Sequence, residues 1–213
     1  MQYDISFIHT GEVHIQKFGP LVAELDPTLR VNHVVDESLL IHAQKFGSDS
    51  WLETHLKAHL QVLSLTSKVI VVTCSSVGAI AENLGSLNGC KIQRIDKAMA
   101  DYAIKNGKEI LVMAALESTL APTKALLEQS MKALGGRATL TFCHVENAWE
   151  YFLSGNMKQY YDQISKAIIS SANKCDLIVL AQASMSEVEN IVNVSIPVIS
   201  SPKLGVKRAI DSL

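Results

Sequence analysis

The sequence predicts an α/β protein built from two tandem halves, each an open, mainly parallel sheet covered by helices. Three observations predict it. Short apolar runs of strand length alternate with helix-period segments from end to end. The apolar runs are near-continuous, as strands buried on both faces require. Landmarks in the first half also return in the second, in the same order and at nearly constant spacing. Ile5 and Ile110 lie 105 residues apart, Val35 and Val145 110, Cys74 and Gln182 108, and Ile92 and Ile196 104.

Taken in order, Ile5 to His9 reads as the first strand. Ile15 to Leu25 reads as a helix that stops near Pro27, and Leu29 to Val35 as the second strand. Residues 49–65 carry a helical stripe of Trp51, Leu52, Leu56, His59, Leu60 and Leu63. Val69 to Thr73 is a buried strand, Ala79 to Leu87 a helix ending at Asn88 and Gly89, and Lys91 to Ile95 the fourth strand. The cycle then restarts with a strand at Glu109 to Ala114. A helix from Thr123 to Leu134 closes on Gly135 and Gly136. Thr139 to Cys143 is a strand, 157–173 a helix, Leu177 to Ala181 a strand and Ser186 to Val192 a helix. Ile196 to Ile199 is the last strand, and a short helix near 204–211 ends the chain.

Each half is therefore expected to be a Rossmann-like or flavodoxin-like sheet of about four strands with helices on both faces. The first half spans 1–96 and the second 97–200, with the helix in 201–213 placed against the first. Right-handed crossovers bring all strand C-terminal ends of a half to one edge. Two such edges facing each other would enclose a cleft, the expected site. Apolar residues make up 48% of the chain and charged residues 19%, which fits a globular protein. The net charge of −2 and the absence of a basic stripe argue against nucleic acid. The apolar runs are too short for a membrane span, and the N-terminus lacks the pattern of a signal peptide. Cys74, Cys90, Cys143 and Cys175 are scattered without a CxxC pair, so a reduced cytoplasmic chain is expected. Small α/β enzymes commonly form dimers or tetramers, so a homo-oligomer stays open.

The polar residues just after each strand are the site candidates. In the first half these are His9 and Thr10, Asp36 and Glu37, and Cys74, Ser75 and Ser76. In the second they are Glu117, Ser118 and Thr119, His144 and Glu146, Gln182, Ala183 and Ser184, and Ser200 and Ser201. Small hydroxyls and free N–H groups at helix starts suit an anion such as a carboxylate. Cys74 stands at the start of a helix or one turn before it, where a thiolate is favoured. Free cysteine is usually a small buried hydrophobe, but two serines after Cys74 argue against that. Cys90 and Cys175 sit at strand entrances and Cys143 in a strand. His9 is the leading histidine, followed by His144; His14, His33 and His42 read as structural or solvated. His55 and His59 have the spacing of two ligands on one helix face but lack the glutamate of a HExxH site, so no metal is expected. Asp36 and Glu37 fit catalysis and helix capping equally. There is no GxGxxG, no GxxxxGK[ST] and no GxSxG, so a cofactor-free site is the economical inference.

At VVTCSS (71–76), VLAQASM (179–185) and IPVISSP (196–202), together with the tandem halves, the chain resembles the aspartate/glutamate racemase superfamily. That superfamily includes hydantoin racemases, maleate isomerases and arylmalonate decarboxylases. The resemblance implies cofactor-independent chemistry, without pyridoxal phosphate, at a carbon next to a carboxylate. Two cysteines, one per half, normally flank that carbon. By position Cys74 matches the first, and Thr10, Ser75 and Ser76 match turns that hold the substrate carboxylate; Thr119 and Ser184 lie in the corresponding second-half turns. Gln182 stands where the second cysteine belongs, and an amide is neither acid nor base near neutral pH. The turn after the first strand, HTGEVH at 9–14, also departs from the Asn-rich turn of hydantoin racemases.

Three functions follow from that departure. A one-thiol racemase or isomerase would use Cys74 as base or nucleophile. His144, Glu117 or water would then supply the second proton, and Gln182 would bind the substrate carboxylate or enediolate. A lyase such as a decarboxylase needs only one proton donor, although in the decarboxylases compared the retained cysteine lies in the other half. A carboxylate binder would keep the cleft without the chemistry.

Overall fold

A computed structural model describes residues 2–213. The chain divides into two compact units, Met1–Asp96 with Pro202–Leu213, and Lys97–Ser201.

The first unit is a five-stranded sheet in the order β2-β1-β3-β5-β4. Its strands are β1 Tyr3–His9, β2 Val31–Val35, β3 Ser67–Val72, β4 Ser86–Leu87 and β5 Cys90–Arg94. All pairings are parallel except β4 with β5. Ile8, Ile70, Val72 and Ile92 on one face pack with Leu39 of α2 (Glu37–Phe46), with Leu52, Leu56 and Leu60 of α3 (Ser50–Ser64), and with Val77 and Ala81 of α4 (Ser75–Leu84). On the other face Phe7 packs at a tilt against Phe18 of α1 (Val13–Leu25), with ring centroids 5.5 Å apart.

The second unit is a four-stranded parallel sheet in the order β7-β6-β8-β9. Its strands are β6 Glu109–Ala114, β7 Thr139–His144, β8 Leu177–Leu180 and β9 Val198–Ser200. Leu111, Met113, Ile178 and Leu180 form a core with Ala148 of α7 (Ala148–Leu153), with Tyr160, Ile164 and Ile168 of α8 (Met157–Ser171), and with Val188 of α9 (Val188–Ile191). Helix α5 (Lys97–Asn106) packs on α6 (Leu120–Leu134) and touches β8. The last helix, α10 (Ser201–Ile210), belongs almost wholly to the first unit. Gly205 leaves room there for the Ile95 carbonyl, which an added Cβ would meet at 2.2 Å.

The register shows the repeat directly. Ile5 lies opposite Val31 and Val69, and Ile110 opposite Leu140 and Leu177, the corresponding neighbours in the second sheet. The two α/β halves with parallel sheets match the sequence expectation. Several details differ. The first sheet gains β4, because Asn88 and Gly89 both take positive φ and turn the chain back as a short antiparallel hairpin. Helices α2, α5 and α7 have no counterpart in the sequence reading. Helix α6 starts at Leu120 rather than Thr123, because a proline, here Pro122, is tolerated in a first turn. Strand β9 begins after Pro197, whose carbonyl accepts from the Ile178 N–H although the proline cannot donate. Among the described residues no helix is long and apolar enough to cross a membrane.

Candidate functional site

In the first unit Cys74 is the N-cap residue of α4, in extended conformation and separated from the end of β3 by one residue, Thr73. Helix α4 starts at Ser75, one turn earlier than the sequence reading placed it, so the thiol sits at the helix entrance itself. Around the sulfur of Cys74 lie the Thr10 hydroxyl, the Ser76 N–H and hydroxyl, and the Val77 N–H, all placed to favour a thiolate. Thr10 and Ser75 are themselves buried. Burial opposes these donors and outweighs them: removal from water pushes the Cys74 thiol above its ordinary value. The lowered pKa expected from the helix start alone is thus corrected, because desolvation of a sulfur anion is the largest effect acting on it.

His9 is fully buried under this turn rather than open to it. Its Nδ1 lies 2.9 Å from Thr73 Oγ1, and its Nε2 2.9 Å from His33 Nδ1. Thr73 Oγ1 donates to the Ile8 carbonyl at 3.0 Å, so it must accept from His9 Nδ1–H. His9 Nε2 then accepts from His33 Nδ1–H, which fixes the tautomers of both rings. Burial, reinforced by His14 and His33, pushes His9 down to about 3; burial and Lys17 push His14 to about 4. These rings are neutral at pH 7. They brace the residue before Cys74, and His33 takes the structural role expected of it, as the partner of His9.

Asp36 is the N-cap of α2: its carboxylate accepts from the Ser38 N–H at 3.0 Å and pairs with His59 Nε2 at 2.8 Å. Arg94, buried at the end of β5, grips Asp96 with two hydrogen bonds of 2.6 and 3.0 Å and reaches Glu82 at 3.2 Å. Gly78 of α4 packs directly on the Arg94 guanidinium. Sequence reasoning missed this ion cluster; its only signal is the RID spacing at 94–96.

In the second unit Gln182 follows β8 as Cys74 follows β3. Its Oε1 accepts from the Ala115 N–H at 2.7 Å and from the Leu116 N–H at 2.8 Å. Only an oxygen fits there, since both facing groups are donors. The amide is therefore fixed, with its NH₂ directed away from the 115–116 turn. His144, exposed at the end of β7, donates from Nε2 to the Ala115 carbonyl at 3.1 Å. Gln182, the 115–116 turn and His144 thus form one hydrogen-bonded group, to which the backbone contributes what no side-chain pattern reveals.

The other candidates are dispersed. Glu117 and Ser118 are exposed on a short 3₁₀ turn (Glu117–Thr119), and Thr119 is buried with its carbonyl accepting from Thr123 Oγ1 at 2.8 Å. Ala183 is buried, and Ser184 is turned inward, 2.8 Å from the hydroxyl of fully buried Tyr160. Ser200 and Ser201 are buried. Away from these strand ends, Cys143 and Cys175 line a cavity of about 270 Å³ with Phe142, Lys174 and Ser171. No group of three or more His, Cys, Asp or Glu among the described residues could hold a metal ion.

No protein-family model and no curated relative matches the sequence. Solved structures do. An aspartate racemase from Picrophilus torridus matches with a TM-score of 0.71 at 17% identity, covering 98% of this chain and 94% of that one. An allantoin racemase from Klebsiella pneumoniae matches with a TM-score of 0.73 at 13% identity, covering 98% and 86%. A variant of arylmalonate decarboxylase matches with a TM-score of 0.65 at 15% identity, covering 98% and 92%. The chain has the fold of the aspartate/glutamate racemases.

Proposed function

We propose that the chain is a cofactor-independent, racemase-like isomerase of the aspartate/glutamate racemase superfamily. Its substrate class is a small amino acid or dicarboxylic acid, and the reacting atom is the carbon alpha to a carboxylate. The observation that carries this reading is the convergence of four donors on the sulfur of Cys74 at the entrance of α4. A thiolate formed there removes the α-proton, leaving a carbanion whose charge spreads onto the carboxylate as an enediolate. Hydroxyls and N–H groups of Thr10, Ser75 and Ser76 stabilise that oxygen charge. The second proton does not come from a thiol in the second half, because Gln182 holds that position. His144 is the candidate carrier, and the fixed NH₂ of Gln182 is a ready donor to a substrate carboxylate. No pyridoxal phosphate or metal enters this chemistry.

A second reading is favoured by one observation. A thiol held above its ordinary value stays protonated at neutral pH, which suits a proton donor. A lyase that loses carbon dioxide and quenches the resulting carbanion from Cys74 fits that state, and a decarboxylase is among the structures of the same fold.

Solvent exchange separates the two. The protein is incubated in D₂O with a panel of small α-amino and dicarboxylic acids, and the α-proton is followed by NMR. Exchange that disappears in Cys74→Ala supports the isomerase; carbon dioxide release from a malonate supports the lyase. Saturable binding of the acids with neither reaction overturns both and leaves a carboxylate-binding protein.

A further inference from the structure

Gln182 and His144 share one peptide group. The Leu116 N–H and the Ala115 carbonyl belong to the same planar amide. The N–H donates to Gln182 Oε1 at 2.8 Å, and the carbonyl accepts from His144 Nε2–H at 3.1 Å. Drawing electron density from the N–H end makes the carbonyl oxygen more negative, so the two hydrogen bonds strengthen each other. The Ala115 N–H, on the preceding peptide, donates to the same Oε1 at 2.7 Å and stops the turn from rotating.

We infer that Gln182 is a positioning residue that acts through the Ala115–Leu116 peptide to hold His144 as the proton-carrying group of the second half. The hydrogen bond to Ala115 keeps a proton on Nε2, which leaves Nδ1 as the working nitrogen; no described residue hydrogen-bonds to it. Protonated at Nδ1, the ring gives that proton to the carbanion carbon. An N–H bond breaks and a C–H bond forms. The ring returns to the neutral Nε2–H form and is recharged from water. In the reverse direction the Nδ1 lone pair takes the α-proton. The amide at 182 thus supports acid–base chemistry that it cannot perform itself, one peptide away. Glu117 and Glu146, both exposed, are the nearest charged residues along the chain on either side of this group. The role of His144 as proton carrier rests on the isomerase reading; the coupling of Gln182 to its ring does not.

The test is NMR of the full chain, with ring ¹⁵N shifts of His144 and amide exchange of Leu116 measured in wild type, Gln182→Ala and Gln182→Glu. Wild type is expected to hold the His144 proton on Nε2 alone and to protect the Leu116 amide. Gln182→Ala removes the acceptor of both N–H groups: Leu116 exchange should rise by about tenfold or more, the cost of one net hydrogen bond, and the ring should populate both tautomers. Gln182→Glu keeps an oxygen at that point and should restore both signals. Faster Leu116 exchange in Gln182→Ala with an unchanged His144 ring would show a latch without coupling and overturn the inference. So would a wild-type ring that already populates both tautomers, or failure of the glutamate to restore either signal. None of these readings needs turnover, so absent α-proton exchange would sink the isomerase reading while leaving the coupling to stand or fall by itself.

Discussion

Removing the Thr10 hydroxyl should slow the chemistry of Cys74 by an amount the structure lets one work out. Burial raises the thiol above its ordinary value of 9.0. At pH 7 fewer than about one molecule in a hundred therefore carries the thiolate, and alkylation should accelerate about tenfold per pH unit up to at least pH 9. The Thr10 hydroxyl is the largest of the groups opposing that burial. A hydrogen bond to a charged acceptor is worth about 1.5 kcal/mol or more, or about tenfold in the thiolate population. Thr10→Val preserves the shape of the side chain and deletes the donor. Iodoacetamide labelling of the Cys74 peptide, followed by mass spectrometry from pH 6.5 to 9.5, should show the variant about tenfold slower throughout the rising limb. A labelling rate that levels off below pH 8, or one that Thr10→Val leaves unchanged, would refute the balance of burial against donors described here.

The His9 cluster gives an acid-stability prediction. Unfolded His9 binds a proton below about 6.5 and folded His9 only near 3, so unfolding takes up a proton between those values and stability falls as pH drops through that window. From pH 7 to pH 5 the loss from His9 is at most about 2 kcal/mol, and the unfolding free energy of His9→Gln, measured in urea, should vary less with pH by that amount. An unchanged dependence would show that His9 is not the group being protonated. Gly205→Ala should destabilise the chain despite the helix preference for alanine, because its Cβ would lie 2.2 Å from the Ile95 carbonyl. The expected loss is about 1–3 kcal/mol, and a rise in Tm would show that α10 does not dock on that strand end.

The architecture was legible because strands buried on both faces must be apolar for most of their length, as β1, β3, β6 and β8 are. Strand β4, by contrast, is two residues long and made by turn chemistry at Asn88 and Gly89 rather than by a hydrophobic run. Helices α2 and α7 escaped notice because each buries a single residue, Leu39 and Ala148. At the strand ends the residue types were legible but their orientations were not. His9 and Ser184 stand in turn positions that could face a ligand, yet each is turned inward to a partner far along the chain, Thr73 and Tyr160. The direction of the Cys74 shift was equally out of reach, because a helix entrance can be read from sequence and the loss of solvent around a sulfur cannot.

The same asymmetry predicts what replacing Gln182 with cysteine would do. If the glutamine were only a lost thiol, Gln182→Cys would restore two-thiol racemisation. The structure argues otherwise. Gln182 Oε1 satisfies both the Ala115 and Leu116 N–H groups, and that turn in turn carries the acceptor for His144. A cysteine side chain is two atoms shorter, and its sulfur is a weak acceptor. Two backbone donors would lose their partner, each at about 1–3 kcal/mol if water does not reach it, and His144 would lose its fixed carbonyl. The substitution should therefore lower the urea midpoint and reduce, not raise, any α-proton exchange. A Gln182→Cys protein that exchanges α-protons faster than wild type, with an unchanged midpoint, would show that the second half still holds a competent site for a thiol and that the amide has not been built into its own turn.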